Sequence, residues 1–334
     1  MHSNSTINTP NTPNQLQSNI PPWLAPGGVI LLVLVIMAAA VGSFMSASSA
    51  PGMSAEATLT PLSAQPSQII PTPTIALGID IPATPTTIIG PSATFDPEKP
   101  LAGHKIGIDP GHGPRGDLGA VYVDDKTGKT ILTEAEFNLD IALRCRDILL
   151  ARGADVVVTR VENDTFIVPW PNDANGDGTE GASVDELQTR VDILNDFGAE
   201  IFLGIHANSA AEPGNGDDLQ VLYCGADDCA FAAENKRLAK IVLAHLDNTL
   251  THAGINLDGG STMDDLMIDD TGLHLFLLGP AKPPRHPRAI TMPGVLGETL
   301  YITLPSGAKL LMRDGVRQEI ATAYADALQE YLMK

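Results

Sequence analysis

The first 98 residues of this 334-residue chain contain no lysine or arginine. All 20 basic residues fall in 99–334, together with 36 of the 40 acids; Glu56, Asp80, Asp96 and Glu98 are the other four. At a formal net charge of −20 the chain lacks the clustered Lys and Arg that a phosphate backbone requires, so no nucleic-acid partner is expected. The same lack excludes docking on an anionic lipid surface through a basic patch. Cysteine is scarce as well: three residues rule out a disulfide-dense mini-domain and any four-cysteine zinc cluster. There is no compact HExxH motif and no repeat of solenoid length. What the chain does have is apolar residues, 43% of the whole, ample for a core.

The composition divides the chain. Residues 1–22, rich in Asn, Ser, Thr and Pro, read as a disordered tail. Residues 23–45 follow as a transmembrane anchor or an uncleaved signal. The run 28–45 is uncharged and, at about 1.5 Å per residue, roughly as long as a bilayer's hydrocarbon is thick. Trp23 stands at one end, where an interfacial aromatic is at home. A cleaved signal peptide is the alternative, with Ser48 and Ala50 near a cut site. Against it, no short positive region precedes the apolar run. Residues 46–98, dominated by Pro, Thr, Ser and Ala, read as a semi-extended stalk, because proline fixes φ and removes donors.

Residues 99–334 alternate strands and helices. Strands are expected at 104–109, 154–159, 200–205, 219–224 and in the strand-like run 293–299. Helices are expected at 133–152, 183–197, 230–252 and 314–332, the second opened by a Ser183-x-x-Glu186 capping box. Apolar strands alternating with helices imply a single three-layer α/β/α domain with a mainly parallel or mixed sheet. The transmembrane segment and the disordered Pro/Thr-rich stalk precede it. In such sheets ligands collect at the strand ends. His112 follows the first strand, His206 follows the strand EIFLGI, Glu298 follows GVLG and Glu134 opens the first helix. Two His and one carboxylate, with a fourth position left for water, suit a catalytic zinc ion. Each of these His, taken singly, reads as a structural hydrogen bonder in a Gly-rich turn. Thr133-x-x-Glu136 is a capping box, which gives Glu136 a structural task and leaves Glu134 free to point at a metal.

These residues carry a resemblance. Residues 104–332 resemble the zinc-dependent N-acetylmuramoyl-L-alanine amidases of the amidase-3 family. The matching pieces are IGIDPGHG (106–113), GA (119–120), EAEFNLDIA (134–142), TR (159–160), ELQTRVDILN (186–195), IFLGIHANSA (201–210) and PGVLGET (293–299). The resemblance implies one Zn2+ per chain held by His112, Glu134 and His206, with Glu298 as the catalytic residue. It implies hydrolysis of the amide between N-acetylmuramic acid and L-alanine in peptidoglycan. Arg190 falls in a helix the family also has, where a structural role is expected. The chain is then a membrane-anchored enzyme with its catalytic domain outside the cytoplasm; the sequence names no activator protein. Departures touch substrate detail: Pro114 after Gly113, Ala135 after the ligand glutamate, Gly204 where Ser is usual, and Thr299-Leu300 after Glu298. Two other readings stay open, a peptidoglycan-binding module without turnover and a zinc hydrolase of another amide.

Three features lie outside the motifs. Asp173, Asn175, Asp177 and Gly178 copy the first half of a calcium loop, but Val184 stands where the bidentate Glu belongs, which favours an acidic solvated loop over a Ca2+ site at 173–178. The stretch 279–292 gathers Lys282, Arg285, His286 and Arg288 before the last strand and reads as a lid or substrate clamp, or as a solvated loop. Cys224 and Cys229 could pair or stay free, Cys145 reads as core, and His245, His252 and His274 are not assigned to the metal.

Overall fold

A computed structural model describes residues 96–334 apart from 114–115, 164–165, 167–172, 180–182, 211–217, 258 and 269–270. The tail 1–22, the apolar segment 23–45 and nearly all of the stalk 46–98 lie outside the described residues. No helix among the described residues is long and apolar enough to cross a membrane.

Among the described residues eight strands and five helices follow in order: β1 Lys105–Pro110, β2 Val121–Val123, β3 Thr130–Thr133, α1 Glu134–Ala151, β4 Asp155–Val158, α2 Ser183–Phe197, β5 Ile201–Asn208, β6 Leu219–Tyr223, α3 Ala232–His252, β7 Gly260–Asp264, β8 Gly294–Tyr301, α4 Pro305–Leu311 and α5 Asp314–Met333. A 3-10 turn, Asp265–Met267, follows β7. Six strands form one sheet in the order β4-β1-β5-β8-β6-β7. Every neighbouring pair is parallel except β8–β6. β2 and β3 make a separate hairpin. The expected mixed, mainly parallel sheet is therefore present.

Strand parity divides the core. Ile201, Leu203, Ile205 and Ala207 of β5 point to one face, with Ile106, Ile108 and Val295. There they meet α1, α3 and α5 through Phe137, Ile141, Leu238, Val242, Ile320 and Tyr324. Phe202 and Leu296 point to the other face, against Val191 and Leu194 of α2 and Leu277, Leu278 and Met292 of the long excursion between β7 and β8. This second layer thus holds one helix and an irregular segment. A strand buried on both faces is apolar on both, which is why β5 reads as an apolar run from Ile201 to Ile205.

Several expectations need correction. His206 and Glu298 do not follow their strands. β5 runs on to Asn208 and β8 to Tyr301, because the two pair with each other through His206↔Glu298, beyond where the hydrophobic runs stop. The hairpin β2–β3, strand β7 and helix α4 were not legible. They are short, and β2 and β7 bury little of their side chains. Glu186 does not close a capping box; its carboxylate pairs with Arg190 at 2.7 Å instead. The stretch 279–292 is not a lid. It runs outside α2 and past the N-terminal ends of β5 and β8. Arg288 is fixed there by Asp192 (2.7 and 2.6 Å) and the Ala174 carbonyl, and Asn195 donates to the Ala289 carbonyl. Cys224 and Cys229 are joined in a disulfide, and Cys145 is free and buried in the core.

Candidate active site

β1 delivers the chain to a turn at Pro110-Gly111-His112, where His112 adopts φ 60°, a left-handed backbone that non-glycine residues avoid. Two fully buried arginines hold this turn. Arg160, beyond β4, donates to the carbonyls of Pro110 (3.0 Å), Gly111 (2.9 Å) and Ala135 (2.9 Å). Arg190, on α2, donates to the carbonyls of Pro110 (2.8 Å) and His112 (2.7 Å), and pairs with Asp109 at 2.8 Å. Three successive carbonyls are thereby tied to guanidinium groups, which fixes the backbone that carries His112. The expected structural role of Arg190 takes this form.

Glu134 is the first residue of α1. Thr133 caps the helix, its Oγ1 accepting from the Glu136 N–H at 3.2 Å. Glu136 makes no reciprocal bond: Thr133 is also the last residue of β3, opposite Val121, and the Glu136 side chain is exposed. Glu134 turns inward and is 5% exposed. Its Oε2 accepts from Ala120 N–H (2.9 Å), and its Oε1 from Ala207 N–H (3.3 Å) and Asn138 Nδ2 (3.4 Å). Its two backbone donors come from outside α1, and an acidic residue at the first position of a helix is favoured by the helix dipole as well.

The chain brings three of the expected residues together. His112 Nε2 lies 3.2 Å from Glu134 Oε2, and His206 Nδ1 lies 2.9 Å from Glu134 Oε1. The ligand atoms of all three lie within 4.8 Å of one another. The His112 and His206 rings meet edge-on at 5.1 Å. A Cβ on Gly119 would come within 2.6 Å of both Glu134 Oε2 and the His112 ring, so the close approach needs glycine there. Burial alone would raise the Glu134 carboxyl, but the charge of His112 and the hydrogen bonds from both histidines hold it well below the usual carboxylate range. Burial works against a charged His112 too; Glu134, with help from Asp117, nevertheless pushes the imidazole up to about 10.

Glu298 pairs in register with His206 on the neighbouring strand, so the two side chains leave the sheet on the same face. No hydrogen bond reaches its carboxylate among the described residues. Burial pushes that carboxyl up to about 7; His206 and His112 pull it back and Glu134 adds to the rise. A carboxyl poised near neutrality suits proton transfer in both directions.

A second group, Cys224, Cys229 and His274, has ligand atoms equally close. Its sulfurs are joined to each other, and His274 lies between Asp265 (2.9 Å) and Asp228 (3.1 Å). In the 173–178 loop, Asp173 accepts from Gly178 N–H and Asp177 from Thr179 N–H and Asn175 Nδ2; these are turn bonds rather than a convergent cage. Sequence reasoning missed Asp117, Asn138 and Arg160. The available signals were an Asp five residues after His112, an Asn one turn beyond Glu134, and the Arg of the TR pair.

Comparison with known proteins decides the family. The family model described as N-acetylmuramoyl-L-alanine amidase matches residues 106–330. The chain belongs to this amidase family. It is 31% identical over 235 residues to the germination-specific N-acetylmuramoyl-L-alanine amidase of Bacillus subtilis, spanning 70% of this chain and 81% of that one. To the N-acetylmuramoyl-L-alanine amidase AmiA of Escherichia coli it is 28% identical over 252 residues, 67% of this chain and 74% of that one. A solved structure, the CwlD amidase of Clostridioides difficile in complex with the GerS lipoprotein, covers 69% of this chain and 98% of its own at 22% identity and a TM-score of 0.49. Membership carries the reaction class: the amidase is a hydrolase of the amide between N-acetylmuramic acid and L-alanine in peptidoglycan.

Proposed function

We propose that His112, Glu134 and His206 hold one zinc ion and that Glu298 is the acid–base residue of the hydrolysis. The observation that carries this reading is the convergence of the three donors within 4.8 Å, with Glu298 in register beside His206. The donor set fits zinc: two imidazoles and one carboxylate bind it and leave a position open. When bound, zinc polarises the scissile carbonyl and brings the pKa of water down to about 7. Everything else falls to the chain. Arg160 and Arg190 hold the His112 turn, and Ala120 N–H, Ala207 N–H and Asn138 hold the Glu134 carboxylate. Glu298 accepts the proton of the attacking water and passes it to the leaving nitrogen, so that L-alanine departs as a free amine. The carboxyl's raised pKa supports both halves of that transfer.

The run 28–45 and the Pro/Thr-rich stretch after it support a tethered arrangement, with 23–45 as the anchor, 46–98 as the stalk and 99–334 as the extracytoplasmic catalytic domain. A stalk suits an immobile wall mesh at some distance from a membrane.

The test uses the purified full chain and its Glu298→Ala variant on isolated cell walls. The expected wild-type result is about one zinc per chain, with release of stem peptides bearing new L-alanine amines and no shortening of glycan chains. The variant should keep its zinc and lose roughly 100- to 10,000-fold in rate. Zinc binding without any such release would move the activity to another amide. An absence of zinc binding would overturn the ligand set.

A further inference from the structure

The His112 ring makes two polar contacts, and they differ in kind. Nε2 faces Glu134, while Nδ1 lies 2.9 Å from Asp117 Oδ2. Neutral imidazole has one proton, and only the bare nitrogen can offer a lone pair to a cation. An ionised carboxylate accepts and cannot donate. In the neutral ring that a cation would bind, Asp117 therefore keeps the one proton on Nδ1 and leaves Nε2, the nitrogen beside Glu134, to offer its lone pair to the ion. The carboxylate is itself fixed: Oδ1 accepts from Gly119 N–H at 3.1 Å, and the Asp117 carbonyl accepts from Gly113 N–H at 2.7 Å. It belongs to the same turn as the histidine it addresses. His206 has no equivalent, since among the described residues its one polar ring contact is Glu134 itself.

Resting on the zinc reading above, we propose that Asp117 is a positioning residue of the metal centre: it selects the His112 tautomer and aims Nε2 at the ion, without touching metal or substrate. The Asp117 side chain is half exposed, so its replacement leaves the core intact.

Asparagine separates this role from a turn-building one. Asp117→Asn has one oxygen left. Gly119 N–H is a donor and needs that oxygen, so the amide NH2 then faces His112 Nδ1 and donates to it. The imidazole proton is driven to Nε2, the nitrogen the metal needs. A residue that merely builds the turn would survive this change; a tautomer-setting one is inverted by it. Asp124 supplies the control, because it builds a comparable turn with Lys126 and Thr127 N–H groups and touches no ligand.

The experiment measures zinc affinity of the full chain by chelator competition, beside the melting temperature of the metal-free protein. Asp117→Ala and Asp117→Asn should each lose about 10- to 100-fold in zinc affinity, the usual consequence of removing a ligand's outer partner. Asp117→Asn should melt with the wild type, and Asp124→Ala should bind zinc as the wild type does. Wild-type affinity in Asp117→Asn would overturn the proposal while leaving the three-ligand reading in place. A wild-type chain that binds no zinc would overturn both.

Discussion

Arg190→Met tests whether the turn under His112 rests on a buried ion pair. The guanidinium is 2% exposed and pairs with Asp109, which is 3% exposed in its side chain, and with Glu186. Methionine keeps the stem and removes the charge, which leaves Asp109 buried with the Thr159 hydroxyl (2.6 Å) as its remaining side-chain donor. Breaking such a pair from one side costs about 3–5 kcal/mol. For a domain of this size that lowers the melting temperature by roughly 6–20 °C. The pH dependence fixes the cause. In the wild type, burial would raise the Asp109 carboxyl, but Arg190 and Thr159 hold it below its ordinary value. Its contribution is then present above the unfolded pKa and lost as pH falls through the lower folded one. Without Arg190, burial acts unopposed by that charge and the folded pKa moves above the unfolded one. The penalty is then full at neutral pH and is relieved on acidification as the carboxyl takes up a proton. Glu186, already raised by burial, moves the same way. Urea unfolding of the metal-free wild type and variant from pH 8 down to pH 4.5 should show the difference in stability shrinking as pH falls. A loss under about 1 kcal/mol at pH 7, or one that grows in acid, would refute the buried-pair account.

Gly119→Ala should place a Cβ against Glu134 and His112 at a φ of +63°. The left-handed backbone by itself costs about 1–2 kcal/mol, so chelator competition should show a loss of zinc affinity out of proportion to a modest fall in melting temperature. Arg288→Ala removes an ion pair at a half-exposed side chain on the outside of α2, so denaturation should register no more than about 1 kcal/mol. Because 279–292 packs away from the site, kcat and KM on cell walls should match the wild type; a large KM increase would restore the clamp reading.

The elements most legible in the sequence are those whose cause is local. Thr133 caps α1 by accepting from the Glu136 N–H, and Glu134 and Glu136, two residues apart on the helix that follows, lie about 200° apart around its axis, so one turns inward and the other outward. β5 shows itself as an apolar run from Ile201 to Ile205 because it is covered on both sides. What the sequence hides is what one segment does to another. His206 and Glu298 lie inside strands rather than after them because β5 and β8 extend each other, a pairing between segments about 90 residues apart. Arg160 reads as an ordinary polar residue after a strand, yet it ends fully buried, with three backbone carbonyls from two other elements as its main acceptors. Nothing in residues 155–165 specifies those acceptors. They exist because Pro110 and Gly111 leave the sheet at a sharp turn and α1 starts beside it.

The same logic bears on the proposed metal centre. His112, Glu134 and His206 come from a turn, a helix start and a strand, and no pair of them is near enough in sequence to set its own geometry. Their mutual placement is therefore a property of what surrounds them: the two arginines on the backbone, Asn138 bridging the Gly111 carbonyl and Glu134, and Asp117 on the ring. Substitutions in this shell should consequently change zinc affinity in step with how directly each touches a ligand. Asp117, bonded to a ligand ring, should act mainly on the metal. Arg190, bonded to the backbone beneath it, should act on metal and stability together.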